Sequence, residues 1–432
     1  MKSETITPAK SLSGNFCVPG DKSISHRSLI LAALAKGSST IKNLLLGEDV
    51  LNTMRILKAL GVSMSHQPEQ LREGETLTVY GGKPFSPPRE NLDCGNSGTT
   101  LRLMLGLLSA QPFESVLTGD TSLNRRPMDR VMKPLEAMGA RFEVLHEKGR
   151  RLIRVKGAHL KGIDFPLPVS SAQVKSALLL AGLFARGETT LTEPEESRDH
   201  TERLLRAMGA KLVSENRSLT LVPGTDLAPG NVEVPGDYSS AAFFVVAGLI
   251  VPGSQITIKN VGVNPTRIGL HDALLKMGGN ITFKKERTVS GEPIADLLVK
   301  SSPLKAADIR KEIPRAIDEL PIFAVAATHA KGVSEVSDAG ELRVKESDRI
   351  ATLGAEMKKA GADFEEKKEG FKIRGGASFK AGTFKSHGDH RIAMSLAIAS
   401  LTGSKPSVIE DTECVATSFP SFFNLLKSVS FP

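Results

Sequence analysis

Leu135-Glu-Ala-Met-Gly139-Ala and Leu205-Arg-Ala-Met-Gly209-Ala are one phrase written twice. Leu57-Lys-Ala-Leu-Gly61-Val, Leu274-Leu-Lys-Met-Gly278-Gly and Met357-Lys-Lys-Ala-Gly361-Ala vary it, and a sixth copy falls near Leu425-Leu-Lys-Ser428. Each ends an amphipathic helical pattern on Gly, the residue suited to the left-handed position after a helix C-terminus. The glycines stand about 70 to 80 residues apart, so six units of roughly 72 residues fill the 432-residue chain. A second phrase keeps the same frame: a small or acidic capping residue, an apolar helical run, then usually a Gly turn. It spans Ser23 to Gly37, Ser97 to Leu108, Ser171 to Gly187, Ser239 to Gly253, Asp318 to Gly332 and Asp389 to Gly403. These helices are apolar nearly all round and should be buried, whereas the Met-Gly helices carry a charged face and should lie outside. Leu77 to Tyr80, Leu152 to Val155, Leu219 to Val222 and Phe371 to Arg374 alternate apolar and polar residues as strands do. One unit is therefore helix, strand, helix, strand, strand.

Pro19-Gly20-Asp21 returns as Pro235-Gly236-Asp237, three units later, so the chain reads as two three-unit halves. The sixth unit runs out after its outer helix, while residues 1–19 look like a strand pair that precedes the first unit. The simplest arrangement lets residues 1–19 complete the sixth unit. One domain then covers 20–236 and the other covers 1–19 plus 237–432. Two crossovers at the Pro-Gly-Asp points join them, a natural hinge about which the halves are expected to close on ligand.

Hydrophobic residues make up 40% and charged residues 24%, which excludes a disordered or fibrous chain. The apolar run Ala241 to Val251 is about half the roughly 20 residues of a membrane span. Met1 to Lys10 lacks the apolar core of a secretory signal, so a cytoplasmic protein with no membrane partner is expected. Cys17, Cys94 and Cys414, odd in number and far apart, fit neither a disulfide framework nor a zinc knuckle and read as reduced packing residues. The net charge of +8 points to an anionic partner. With no Trp and only two Tyr to stack on bases, nucleic acid is not expected, and a small anionic substrate is the better reading. The chain has no phosphate loop of the Gly-x-x-x-x-Gly-Lys-Ser/Thr form and no Gly-x-Gly-x-x-Gly, and His387 and His390 lack a third ligand. No cofactor and no metal are expected.

The starts of the inner helices gather the chemistry: Asp21-Lys22-Ser23, Asn96-Ser97-Gly98-Thr99, Ser170-Ser171-Ala-Gln173, Asp237-Tyr-Ser-Ser240, Ile317-Asp318-Glu319 and His387-Gly-Asp389-His390-Arg391. Free backbone N–H groups and the positive dipole end favour phosphate or carboxylate there. A lone Ser or Asp in such a place is a helix cap. Caps need no cations, however, and Lys22, Arg27 and Arg391 interrupt otherwise apolar helices. The loops before the outer helices add Arg125-Arg126-Pro127, Arg198-Asp199, Arg267 and Arg343-Val-Lys345-Glu346-Ser-Asp348-Arg349. Each could be solvated surface charge, but several convergent arginines in frame suit a doubly anionic ligand.

Pro19-Gly-Asp-Lys-Ser-Ile-Ser-His-Arg27, Gly95-Asn-Ser-Gly-Thr-Thr-Leu-Arg102, Arg126-Pro127, Arg343-Val-Lys-Glu-Ser-Asp-Arg349 and Asp389-His-Arg-Ile-Ala-Met394 resemble the signatures of the 5-enolpyruvylshikimate-3-phosphate synthase family. The resemblance covers essentially the whole chain. It implies an α/β fold, a two-domain inside-out α/β barrel with three βαβαββ repeats per domain. It also implies transfer of the enolpyruvyl group of phosphoenolpyruvate to the 5-hydroxyl of shikimate 3-phosphate, releasing phosphate, in aromatic amino-acid (chorismate) biosynthesis. On the resemblance, Lys22, Ser23, Arg27, Ser171, Ala172, Gln173, Arg198, Asp318 and Lys345 would hold shikimate 3-phosphate. Lys22, Gly98, Arg126, Gln173, Arg349 and Arg391 would hold phosphoenolpyruvate, and Asp318, Glu346 and Lys22 would move protons. Glu341 and Thr417 stand where many members have Asn and Lys, and together with Arg198 they resemble a divergent, glyphosate-tolerant bacterial branch. Gly98 lacks the methyl group associated with that tolerance, so glyphosate is expected to compete with phosphoenolpyruvate. The sister enolpyruvyl transferase that acts on UDP-N-acetylglucosamine carries a Cys before its Arg-Pro, and Thr118 to Arg125 contains none. A phosphate-reading RNA-binding repeat protein is the rival from another class. A monomer is expected.

Overall fold

The structure is a computed structural model that describes residues 2–147 and 149–431. It is a mixed α/β protein whose chain divides into two compact units. One comprises Met1–Pro19, Pro235–Thr288 and Pro293–Pro432, and the other Gly20–Val234 with Val289–Glu292. Each unit has its own hydrophobic core.

The repeat is plainest in the second unit. Strand Leu92–Asp93 leads into helix Gly98–Leu108, and strand Glu114–Thr118 returns parallel to it. Helix Asp129–Ala137 then precedes two antiparallel strands, Arg141–Glu147 and Arg150–Lys156. Across the sheet the order is leading strand, second, fourth, third. The same order recurs with Asp164–Pro166, Thr189–Thr192, Ser218–Val222 and Lys211–Glu215. Helix Lys22–Leu34 follows Pro19-Gly20 directly, which leaves no room for a leading strand. That place is filled by Asn231–Glu233, from the far end of the same unit, parallel to Gly37–Lys42.

The other unit borrows a strand twice, once as a leading strand and once as a closing one. Tyr238–Ile250 follows Pro235-Gly236 directly, and Ser11–Cys17 supplies its leading strand, parallel to Gln255–Gly262. Ser3–Ile6 pairs antiparallel with Ser407–Glu410, whose other neighbour is Thr383–Lys385. The two N-terminal strands are thus not a pair. Ser3–Ile6 does go to the sixth repeat, but Ser11–Cys17 leads the fourth, because each takes an edge left open at a different sheet.

The inner helices are buried as their sequences require. Every residue of Gly98–Leu108 and all but the last of Tyr238–Ile250 are buried. Burying a Leu or Phe side chain stabilises by about 1.5–3 kcal/mol, so these helices are the centre of each core. The outer helices Glu48–Ala59, Asp129–Ala137, His200–Ala207, Gly269–Lys276 and Arg349–Lys359 bury one face only. The glycines after them have φ of +92°, +105°, +90°, +87° and +91° (Gly61, Gly139, Gly209, Gly278, Gly361), the left-handed stop that marks the repeat. The expected helix start at Asp318 shifts. Ile317–Glu319 is a 3-10 turn and the helix runs Leu320–Thr328, with Pro321 in its first turn. Asp318 therefore lies within the turn and not at the N-cap of the helix.

Candidate active site

In the unit containing residues 20–234, the polar side chains converge from three inner helices. Asp21 caps Lys22–Leu34 by accepting from the Ile24 amide at 2.9 Å, which sets Lys22 in the first turn. Lys22 Nζ donates to Asp49 Oδ2 at 3.0 Å. One turn on, Arg27 is buried and reaches across to two other helices. Its Nε donates to Thr201 Oγ1 at 2.6 Å, Nη2 to Ser176 Oγ at 2.7 Å, and Nη1 to the Ser23 carbonyl at 2.9 Å. Burial, helped by nearby Arg198, lowers the Arg27 pKa to about 10 against the pull of Glu202 and Asp21. An arginine held by neutral hydroxyls keeps positive charge to offer, which suits an anion.

Ser171 caps Ala172–Gly182 through the Val174 amide, leaving Ser171, Ala172 and Gln173 half-buried at the helix start. Gln173 is fixed from both ends: Arg102 donates to its Oε1, and its Nε2 donates to Thr99 Oγ1 at 2.8 Å. Gly98 opens the helix that carries Thr99 and Arg102. A Cβ there would lie 2.9 Å from Arg102 Nη1 and 3.1 Å from Arg126 Nη1, so the guanidinium groups crowd a bare backbone. Arg126 Nη2 donates to Asn96 Oδ1 at 2.7 Å. The unit thus brings Gly98, Arg126 and Gln173 together through Arg102, and Ser23 and Arg27 through one hydrogen bond.

In the other unit the cations and carboxylates are interleaved. Arg349, 1% exposed, donates from Nε to Asp389 Oδ2 at 2.8 Å and from Nη2 to Glu346 Oε2 at 2.6 Å. Its Nη1 lies 3.5 Å from Asp318 Oδ1 and makes no hydrogen bond among the described residues. Burial alone would lower the Arg349 pKa; Asp389 and Glu346 outweigh it and hold the group charged. Asp389 answers in kind. Burial would raise its pKa, but Arg349 draws it below the usual carboxylate range. The same Asp389 caps His390–Ser400 through the Arg391 amide, which ties Arg391 to Arg349 through one carboxylate. Lys345 Nζ stands 3.7 Å from Asp318 Oδ1. A quarter of its side chain reaches solvent, yet surrounding atoms desolvate the ammonium enough to lower its pKa, despite Asp318 and Glu341. Asp318, Lys345, Glu346, Arg349 and Arg391 therefore form one connected set.

Asp49, Ser176 and Thr201 support these groups and were not singled out from sequence, while Thr99, Arg267 and Glu319 stood within the quoted stretches without a site role of their own. Arg102 had a signal, a cation within an otherwise apolar helix; the others look like ordinary surface or capping residues until the fold places them. His387 Nε2 donates to Glu356 Oε1 at 3.2 Å. Cys94 and Cys414 are packed, and desolvation pushes the Cys414 thiol up to about 12, but Cys17 is exposed on its strand and is not a packing residue. No helix among the described residues is long and apolar enough to cross a membrane.

The arrangement has close counterparts. The family model for EPSP synthase (3-phosphoshikimate 1-carboxyvinyltransferase) matches residues 6–426. A 3-phosphoshikimate 1-carboxyvinyltransferase of Geotalea uraniireducens is 50% identical over 434 residues, and one of Geobacter metallireducens is 48% identical over 433, each covering 100% of both chains. The EPSP synthase structure from Acinetobacter baumannii is 44% identical and superposes with a TM-score of 0.87 over 100% of this chain and 99% of that one. Matched along nearly its whole length by that family model, and about half identical to relatives of the same length, the chain belongs to the EPSP synthase (3-phosphoshikimate 1-carboxyvinyltransferase) family.

Proposed function

We propose that this chain transfers the enolpyruvyl group of phosphoenolpyruvate to the 5-hydroxyl of shikimate 3-phosphate and releases phosphate, as a step of the shikimate pathway. The observation that carries the reading is the family match over residues 6–426. We assign Lys22, Ser23, Arg27, Ser171, Ala172, Gln173, Arg198, Asp318 and Lys345 to shikimate 3-phosphate, and Lys22, Gly98, Arg126, Gln173, Arg349 and Arg391 to phosphoenolpyruvate. Supporting this are the hydroxyl-bound guanidinium of Arg27 and the buried Arg349 Nη1 donor. Residues 20–236 are assigned to one three-repeat domain of an inside-out α/β barrel fold, and 1–19 with 237–432 to the other. The working enzyme is assigned to the cytoplasm as a monomer.

The chemistry divides into addition and elimination. As the 5-oxygen bonds to C2 of phosphoenolpyruvate, C3 takes a proton and the hydroxyl loses one. The C2–O bond to phosphate then breaks and C3 returns a proton to a base, restoring the double bond. Asp318, Glu346 and Lys22 are assigned these transfers, which positioned side chains accelerate by about 10² to 10⁴-fold. Side-chain cations neutralise the phosphates, so a chelator should leave turnover unchanged. The test is phosphate release from the substrate pair by purified protein. No release from that pair, with the protein folded, refutes the activity. Glyphosate is assigned as a competitor of phosphoenolpyruvate, and comparison of its inhibition constant before and after Gly98→Ala measures the role of the missing methyl group.

A further inference from the structure

Glu319 follows Asp318 in the chain, but its side chain is turned fully inward. A buried carboxylate needs compensating cations, and Glu319 has two. Its Oε1 accepts from Arg267 Nη1 at 3.0 Å, from Arg391 Nη1 at 3.4 Å and from the Ser239 hydroxyl, while Oε2 has no hydrogen-bond partner among the described residues. Arg267, itself buried, also donates to Ser239 Oγ and lies 3.4 Å from Asp237 Oδ1. Arg391 donates from Nη1 to the Asp318 carbonyl at 2.8 Å and from Nη2 to Ser239 Oγ at 3.2 Å.

Two guanidinium groups thus share one carboxylate oxygen and one hydroxyl. Remove the carboxylate, and the two like charges face each other away from water, where repulsion is strong. Arg267 would keep a second carboxylate, Asp237, whereas Arg391 would keep only neutral acceptors among the described residues, the Asp318 carbonyl and Ser239, so Arg391 is the group that would move. We propose that Glu319 is a positioning residue for the transfer reaction: it screens Arg391 from Arg267 and fixes the Arg391 fork for the anionic group of phosphoenolpyruvate. This role rests on the assignment of Arg391 to phosphoenolpyruvate made above. Asp237, Ser239 and Arg267 complete the support, and none of them needs to touch substrate.

The test is steady-state kinetics with each substrate varied in turn, alongside thermal melting. Glu319→Ala should raise KM for phosphoenolpyruvate about tenfold or more and leave KM for shikimate 3-phosphate within about twofold. Glu319→Gln retains an acceptor without the charge and should fall between the two, and it answers the same question should the Ala variant fail to fold. The double variant Glu319→Ala with Arg267→Met removes the repelling partner and should recover KM for phosphoenolpyruvate to within about threefold of the parent. A role confined to folding would give the opposite, a double variant worse than either single one. Equal rises in both KM values, or no recovery in the double variant, overturn the positioning role. Arg391→Lys separates the two levels. If it leaves KM for phosphoenolpyruvate unchanged, the Arg391 assignment is wrong and the positioning role goes with it; if it raises that KM while the Glu319 variants do not, only the positioning role is overturned.

Discussion

Arg349 stands between Asp318, 3.5 Å from its Nη1, and Glu346, 2.6 Å from its Nη2, so one cation orients both proposed proton carriers. Asp318→Asn and Glu346→Gln keep shape and hydrogen bonding but cannot move a proton. Each should lower kcat by about 10² to 10⁴-fold with a much smaller change in either KM; unchanged rates in both would return the two residues to structural roles. Two other residues set a pH dependence of stability. His26 is buried against Thr53, and burial, with Lys22 and Arg27, holds its pKa well below the ordinary value. Its contribution is present above about pH 6.5 and is lost on acidification. For His200, burial would lower the pKa too, but Glu292 at 2.8 Å outweighs it and raises it. That contribution is present below about pH 6.5 and is lost as pH rises through the folded value, so the two histidines oppose each other. Glu292→Gln should leave His200 buried without its carboxylate and reverse its sign. Thermal melting from pH 8 to 5.5 should then show a steeper loss for the variant than for the parent, and parallel curves would refute the pairing. Lys22, Arg27 and Arg391 were legible in the sequence because cations break an apolar helical pattern. Glu319 was not, since a cap-like acid and a buried counter-ion are spelled the same way.

At the scale of elements, Gly209 was legible because it recurs where a helix must stop, whereas Gly106 lies inside a helical run and nothing in the sequence marks it. The structure gives each a different task. Gly209 has φ +90°, and a methyl group added there would meet nothing within 4 Å, so its requirement is purely backbone. Gly106 lies at the crossing of helices Gly98–Leu108 and Ala172–Gly182, where a Cβ would come 2.1 Å from the Ala177 carbonyl oxygen. Gly209→Ala should cost about 1–2 kcal/mol, the penalty for an L-residue in the left-handed region. Gly106→Ala must separate two helices that carry Gln173 and Thr99, and should cost about 3 kcal/mol. It should also raise KM for phosphoenolpyruvate, as the Gln173 to Thr99 bond is stretched. Chemical denaturation of both variants checks the ranking, and equal losses would mean that the crossing relaxes freely. Strand provenance was the illegible part. Residues 1–19 look like strands and the three residues Asn231–Glu233 are too short for a pattern, but which sheet has an open place is decided by where Pro19-Gly20 and Pro235-Gly236 run straight into helices.

For the whole molecule, charge acts at two ranges that salt can tell apart. The net charge of +8 is spread over the chain without a basic tract. Such charge attracts an anion from a distance, and its reach falls to about 8 Å at physiological ionic strength. Arg27, Arg349 and Arg391 are buried and are screened far less. Substrates with about four or five negative charges between them should therefore feel ionic strength on approach and not once bound. Raising NaCl from about 0.02 to 0.2 M should lower kcat/KM for both substrates several-fold while kcat changes less than about twofold. Potassium chloride should act like sodium chloride at equal ionic strength, and sucrose at matched osmolality should do nothing. A fall in kcat equal to that in kcat/KM would place the salt-sensitive charges in contact with the reacting groups, and the division between steering surface and buried site would be wrong.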